Sequence, residues 1–119
     1  MKESLHEIIT QVYSYRGVKD VRFSRSSNGL KVNVELSGES VPYFLIPDGD
    51  FLVLNDLSVF PGEQKEDKMF KTILETSETA AKKAGFKGLQ VMSVDGWDAY
   101  LLRNMGYSPV GKYGWTREL

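Results

Sequence analysis

The sequence predicts a mixed fold of the α/β (α+β) class built around one mixed sheet, and three observations lead to it. Residues 51–60 are apolar on both faces of a strand, which is typical of the middle of a covered sheet. Residues 64–84 then show helical periodicity. Before them, short segments of alternating apolar and polar residues are separated by turn residues. The predicted order is α-β-β-β-β-α-β-α-β, in a single domain spanning residues 1–119.

The first half of the chain is predicted to be one helix followed by an antiparallel meander. The helix begins at Ser4, where Glu7 completes a capping box, and ends at Gly17. A strand over residues 18–27 leads into Asn28-Gly29, a dipeptide that predicts a two-residue primed hairpin turn. Strands over residues 30–36 and 41–46 follow, and the fourth strand begins after the turn at residues 47–50. Such short connections predict antiparallel neighbours.

The second half is predicted to alternate helices and strands. The fourth strand ends at Pro61, which cannot continue a ladder. The long helix packs on one face of the sheet in this prediction, and the N-terminal helix packs on the other. A fifth strand over residues 89–94 is expected parallel to the fourth, because a helix connects them. A short helix, residues 97–105, leads to one last strand region, residues 107–119, which is interrupted by Pro109, Gly111 and Gly114.

Composition excludes several classes of function. The net charge is −1, from 15 basic and 16 acidic residues, which argues against a nucleic-acid partner. The absence of cysteine excludes disulfides, thiolate nucleophiles and cysteine-zinc sites, and a single histidine argues against a metal centre. No apolar run approaches the roughly 18 residues of a membrane span, and no signal peptide is evident. A cytoplasmic location without a membrane partner is therefore expected.

Four short segments, taken in their order and spacing, resemble the GNAT N-acetyltransferase family. Residues 56–61, D-L-S-V-F-P, are similar to its central strand, and residues 81–86, A-K-K-A-G-F, are similar to the end of the helix that follows. Residues 89–94 match the next strand, and residues 101–107, L-L-R-N-M-G-Y, resemble the F-Y-x-x-x-G-F signature. The resemblance covers roughly residues 30–119 and implies a GNAT-like fold.

The resemblance also implies acetyl-CoA as cofactor, held in a splayed gap between the fourth and fifth strands. Backbone pairing with pantetheine falls on the fourth strand, and the pyrophosphate falls on the N-terminus of the long helix. The residues implied are Leu57, Ser58 and Val59 on the strand, with Gln64, Lys65, Lys68 and Met69 in the loop and first turns of the helix. The family's glycines are replaced by Asp67 and Met69, and Glu63 and Glu66 make the loop more acidic still. A degenerate loop and weak cofactor binding are the consequence.

The implied catalytic positions are Asp56 and Tyr100. The family tyrosine, a general acid to the leaving thiolate, is replaced by Leu102. Tyr100 is the nearest aromatic hydroxyl, but it lies about 200° round the helix from that position. Asp56 stands where several members place an acidic residue that acts on the amine through water. The alternative is that Asp56 simply ends or bulges the strand.

Two classes of function stay open. The first is an acetyl-CoA-dependent N-acyltransferase with an amine substrate. The second is a non-catalytic GNAT-like binding or regulatory module, similar to short, divergent acetyltransferase-like proteins carried by tailed phages, some of them as structural components. Its protein partner, or a second copy in a homodimer, would meet either the former cofactor cleft or the aromatic C-terminal segment that includes Tyr113 and Trp115.

Overall fold

The computed structural model of the protein describes residues 4–57, 64–92 and 96–119, with backbone alone at residues 64, 65 and 96–98. Three helices and seven strands lie within these residues. In chain order they are α1 (Leu5–Tyr15), β1 (Val21–Arg25), β2 (Leu30–Leu36), β3 (Glu39–Asp48), β4 (Phe51–Asn55), α2 (Gln64–Lys83), β5 (Gly88–Met92), α3 (Gly96–Asn104), β6 (Ser108–Val110) and β7 (Gly114–Glu118).

The described strands form one mixed sheet in the order β1-β2-β3-β4-β5-β7-β6. The first four make an antiparallel meander, and β5 runs parallel to β4 across the α2 connection. This confirms the mixed class, the meander and the parallel fourth and fifth strands. β4 is the fourth of seven strands in space, which agrees with the central position predicted from its apolar faces.

The last strand region is two strands, so the predicted single strand is wrong. β6 and β7 form a hairpin that turns at Gly111, which has a φ of 65°. β7 lies between β5 and β6 and pairs with both. Glycine at the turn allows the left-handed backbone that reverses the chain, and Gly114 then begins β7.

The predicted placement of the two longer helices on opposite faces is wrong as well. The hydroxyl of Tyr13 on α1 hydrogen-bonds the hydroxyl of Tyr43 on β3 at 2.7 Å, and Tyr43 also reaches Ser77 on α2. A strand side chain points to one face of its sheet, so α1 and α2 share that face. The physical reason is the alternation in β2 and β3, because only one face of the meander carries consistently buried residues.

α3 joins the same layer. Its Arg103 guanidinium lies 5.6 Å from the ring centre of Trp115, which belongs to the same buried cluster as Leu101 and Leu102. The described helices therefore build one core with one sheet face. That core includes Ile9, Tyr13, Val32, Tyr43, Leu45, Leu52, Leu54, Phe70, Ile73, Leu74, Leu89, Val91 and Trp115.

The hairpin turns also differ from expectation. Gly29 does not have a positive φ, and the loop is closed by the Ser26 N–H donating to the Gly29 carbonyl at 3.0 Å. Glycine is needed there for another reason, since a Cβ would clash with the carbonyl oxygen of Leu45. A primed two-residue geometry occurs instead at Ser37 and Gly38, with φ angles of 53° and 79°, between β2 and β3.

Candidate functional site

The carboxyl ends of three strands lie at the same edge of the sheet. β2 and β4 are both antiparallel to β3, and β5 is parallel to β4, so β2, β4 and β5 end together. In α/β folds this edge is where ligands commonly bind, in crevices outside the strand ends. Most of the residues singled out from the sequence belong to this edge or to α2, which follows β4.

β4 and β5 stop pairing before either strand ends. The last parallel pair is Leu54 with Val91. Asn55 stays paired with Phe44 on β3, and Met92 stays paired with Gly114 on β7. Each outer ladder thus continues one residue beyond the inner one. No pair joins Asn55 to Met92, and we call this unpaired end of the parallel ladder the β4–β5 gap.

Asp56 marks the end of the described β4 at this gap. Its φ is 55°, and its N–H donates to the Asn55 side-chain oxygen at 2.9 Å. The predicted strand continued to residue 60, but this left-handed residue interrupts the extended chain. The Asp56 side chain is exposed, whereas Leu57 is half-buried and packs against the core. Ser58 and Val59 lie outside the described residues.

The predicted phosphate-binding residues separate into different environments. Gln64 and Lys65 begin α2, and their side chains lie outside the described parts of the chain. Lys68 is exposed, but Met69 is only 3% exposed and belongs to the core. Met69 therefore fills space inside the protein. One carboxylate oxygen of Glu66 is also buried, without a hydrogen-bond partner among the described residues.

Lys68 and Met69 contribute to a cleft of about 330 Å³. It lies where the end of α1, the β2–β3 turn and the first turns of α2 meet, and Arg16 provides a second cation. The remaining lining residues are the apolar Val18 and Leu36 and the hydroxyl-bearing Ser37 and Thr72. The cleft thus combines two positive charges with an apolar floor.

The candidate acid lies outside that cleft. Tyr100 is 69% exposed on α3 and does not line the cleft. Leu102, which the resemblance aligns with the family's tyrosine, is fully buried in the core. For the Tyr100 hydroxyl to take the place of the Leu102 side chain, α3 would have to rotate about its axis. Such a rotation would expose the buried Leu101 and Leu102. The structure therefore leaves Tyr100 on the surface, and it does not group this residue with Lys68 and Met69.

The sequence does not predict two groups of polar side chains, one half-buried and one fully buried. In the first, the Tyr107 hydroxyl donates to Glu78 Oε2 at 2.7 Å, and Arg117 Nη1 donates to the same oxygen at 2.9 Å. Burial raises the pKa of Tyr107, and the hydrogen bond to Glu78 raises it further. The three residues join α2, the segment between α3 and β6, and β7, so the pattern of each element alone gives no signal of the contact.

The second group is the phenol pair between α1 and β3. Burial raises the pKa of Tyr13 to about 12, and it also raises the pKa of Tyr43 well above the usual value. Tyr13 lies on the buried face of α1 with Ile8, Ile9 and Val12. Its partner Tyr43 lies 30 positions further along the sequence, so the periodicity of α1 does not predict the contact.

No protein-family model matches this chain, and none of the curated proteins matches it. Among the described residues, no group of three or more His, Asp or Glu side chains is placed to hold a metal ion. Within the same residues, no helix is both long enough and apolar enough to cross a membrane.

Proposed function

We propose that this protein is a divergent GNAT-like domain that holds acetyl-CoA weakly in the gap between β4 and β5. The observation that carries the proposal is the early end of the parallel ladder at Leu54 and Val91. Backbone groups of Asn55 beyond it are available to an extended ligand with amides, such as a pantetheine arm. Main-chain pairing of this kind supplies affinity without depending on particular side chains.

The order of the strands supports the same proposal. A meander, a helical crossover and a hairpin whose last strand lies next to β5 place one parallel pair at the centre of the sheet. α2 begins beyond the carboxyl end of β4, so its N-terminal N–H groups face the same edge. An anionic cofactor at the gap gains from that helix terminus.

Weak binding follows from the first turns of α2. Glu66 and Asp67 lie there and oppose a pyrophosphate electrostatically. Met69 stands where the family has a glycine, and its side chain is held in the core. This position therefore lacks the close backbone approach to a phosphate that a glycine permits. Each charge-assisted hydrogen bond contributes about 1.5–3 kcal/mol. The loss of two or three such bonds reduces affinity by about a hundredfold or more.

In the catalytic form of this proposal, an amine attacks the acetyl carbonyl directly. Asp56 is the candidate base, acting through water, because its exposed carboxylate directly follows the end of β4. Tyr100 is the general acid that the sequence suggests. It is exposed on the surface of α3, whereas Leu102 on the same helix is buried. The thiolate would then leave without a phenol at the family position, so turnover is expected to be slow.

The second candidate function is a non-catalytic GNAT-like module, and one observation favours it. Leu102 stands at the family's tyrosine position and is completely buried. A side chain that fills the core at this position offers neither a proton nor a hydrogen bond to a leaving group. In this alternative, which includes a regulatory or phage-associated structural role, a protein partner or a second copy replaces the amine substrate.

The deciding experiment is calorimetric titration of the protein with acetyl-CoA. We expect a dissociation constant no tighter than about 100 μM. Glu66→Gln should tighten binding severalfold because it removes a negative charge from the first turn of α2, and Glu7→Gln on the first turn of α1 serves as control. Micromolar binding by the unmodified protein would contradict a degenerate site, and no binding up to about 2 mM would favour the module.

The location of the cofactor needs its own variant. Met92 ends β5 at the gap and is 37% exposed, so Met92→Trp should obstruct an extended ligand and abolish the weak binding. Val110→Trp is the matched control, since Val110 is 49% exposed on the edge strand β6. Equal binding by the two tryptophan variants would show that acetyl-CoA lies elsewhere.

A further inference from the structure

We propose that the cleft between α1, the β2–β3 turn and α2 binds a small molecule with an apolar body and one carboxylate. This inference does not rest on acetyl-CoA. The cleft shares Lys68 and Met69 with the turns of α2 that the resemblance assigns to the cofactor, but the rest of its lining comes from Thr72, the end of α1, the β2–β3 turn and their neighbours, and none of it comes from β4 or β5. The occupant is inferred from three properties of the cleft: its cations, its floor and its size.

Arg16 and Lys68 supply the positive charge. The Arg16 guanidinium lies 3.9 Å from Glu75 Oε1, a distance longer than a hydrogen bond. Its fork of N–H donors therefore keeps the capacity for two parallel bonds to a ligand carboxylate. Lys68 lines the cleft from the N-terminal part of α2, one turn before Thr72, and adds a second donor group. A carboxylate would compete with Glu75 for Arg16.

The floor of the cleft is apolar. Leu36 is 8% exposed and Met69 is 3% exposed, so both present the margin of the core to the cleft, and Val18 is half-buried beside them. The hydroxyl hydrogen of Thr72 is already donated to the Lys68 carbonyl at 2.9 Å. Inorganic phosphate would leave this floor unused, because it has no apolar surface to bury.

Size limits the ligand further. A volume of about 330 Å³ lies at the lower end of the range for small-molecule sites. It fits a ligand of about a dozen heavy atoms and is small for a whole nucleotide. An N-acylated aliphatic amino acid or a short branched fatty acid has the right size and chemistry. The apolar body would cover the floor while the carboxylate meets the two cations at the rim.

The test is a titration of the isotope-labelled protein with N-acetyl-L-leucine, followed by amide chemical shifts. We expect shifts clustered at residues 16–18, 36–38 and 68–72, with a dissociation constant of about 1 mM, the order typical of a ligand this small. N-acetyl-L-leucinamide has the same shape without the charge and should bind at least threefold more weakly. Inorganic phosphate should produce smaller shifts at these positions.

Variants separate the contributions of the side chains. Arg16→Gln and Lys68→Gln should each weaken binding about threefold to tenfold, since both cations are partly exposed. Glu75→Gln should strengthen binding, because it removes the competing carboxylate. Lys71→Gln is the control, as Lys71 is exposed on α2 and does not line the cleft.

Three results would overturn the inference. Equal affinity for the acid and the amide would show that the cations do not take part. Shifts centred away from the three segments would place the ligand elsewhere on the protein. No shift with 20 mM ligand, in a protein whose spectrum shows it to be folded, would show that the cleft does not bind this class.

Discussion

At the scale of single residues, the phenol pair of Tyr13 and Tyr43 is the most consequential polar contact in the core. Both side chains are fully buried, and their hydroxyls are 2.7 Å apart. A buried hydroxyl that loses its partner costs about 1–3 kcal/mol, so the pair fixes α1 over β3 in one position. Because burial disfavours the charged form of each phenol, the contact also makes the stability of the fold depend on pH.

We expect alkaline pH to lower the stability of the fold through Tyr13. Its pKa is raised from the ordinary value of 10.0 to about 12. Between these two values the unfolded chain releases the proton and the folded chain retains it, so the stability from this group is complete below pH 10 and is lost as pH rises toward 12. Urea unfolding at pH 9 and pH 11.5 should show the wild type losing about 2 kcal/mol more than Tyr13→Phe.

The control for this measurement is Tyr15→Phe, since Tyr15 is 86% exposed on the same helix. Its stability should follow the wild-type curve at both pH values. If the curves of the wild type and Tyr13→Phe stay parallel between pH 9 and pH 11.5, the burial of the Tyr13 hydroxyl does not govern alkaline stability.

At the scale of elements, the hairpins show where sequence patterns succeed and where they stop. The meander was predictable, because alternation and turn residues are local signals. The sequence predicts the primed turn at Asn28-Gly29. Gly29 instead allows the backbone of β3 to approach closely at Leu45, a contact 16 positions away in the sequence. Ser37-Gly38 adopts the primed geometry although serine is a weak signal for it.

Ser37 is therefore a site where stability can be raised. Asparagine tolerates the left-handed region better than serine, so Ser37→Asn should increase the free energy of unfolding by about 0.5–1 kcal/mol. Gly38→Ala should lower it by more than about 1 kcal/mol, purely through backbone strain, because nothing lies within 4 Å of the added Cβ. Chemical denaturation of the two variants checks both signs, and a destabilised Ser37→Asn would contradict this account of the turn.

The placement of α1 was the larger failure of the sequence reading, and its cause is also physical. Amphipathic periodicity identifies which side of a helix is buried, but it does not say which sheet face receives it. The candidate site shows the same limit. The family resemblance implies Lys68, whereas Arg16 and Ser37 come into the cleft only through the packing of α1 and the β2–β3 turn.

At the scale of the whole molecule, the sheet has two unlike faces. All described helices pack on one face, while Pro42, Phe44, Ile46 and Phe51 on the other face are half-buried and lie outside the core. Val53 is 9% exposed on that second face and is also outside the core cluster. The energetic weight of the fold should accordingly lie on the helical side.

Neighbouring residues on β3 provide the test. Leu45 is fully buried on the helical face, so Leu45→Ala should cost about 2–5 kcal/mol. Ile46 points the opposite way and is half-buried, so Ile46→Ala should cost about 1 kcal/mol. Urea midpoints of the two variants decide the matter. Equal losses would mean that the second face is as closely packed as the first.

The position of β7 has a consequence for how the protein is made. β5 is synthesised before β7, yet its antiparallel neighbour comes from Gly114–Glu118, and β6 reaches the sheet only through those same residues. A ribosome-bound chain that has emerged as far as β5 thus carries a strand with one open side, and open strand edges pair readily with other chains. The hairpin closes that side only once β7 has emerged. Slow translation of the segment from the end of β5 to the end of β7 would therefore prolong the interval in which nascent chains can associate.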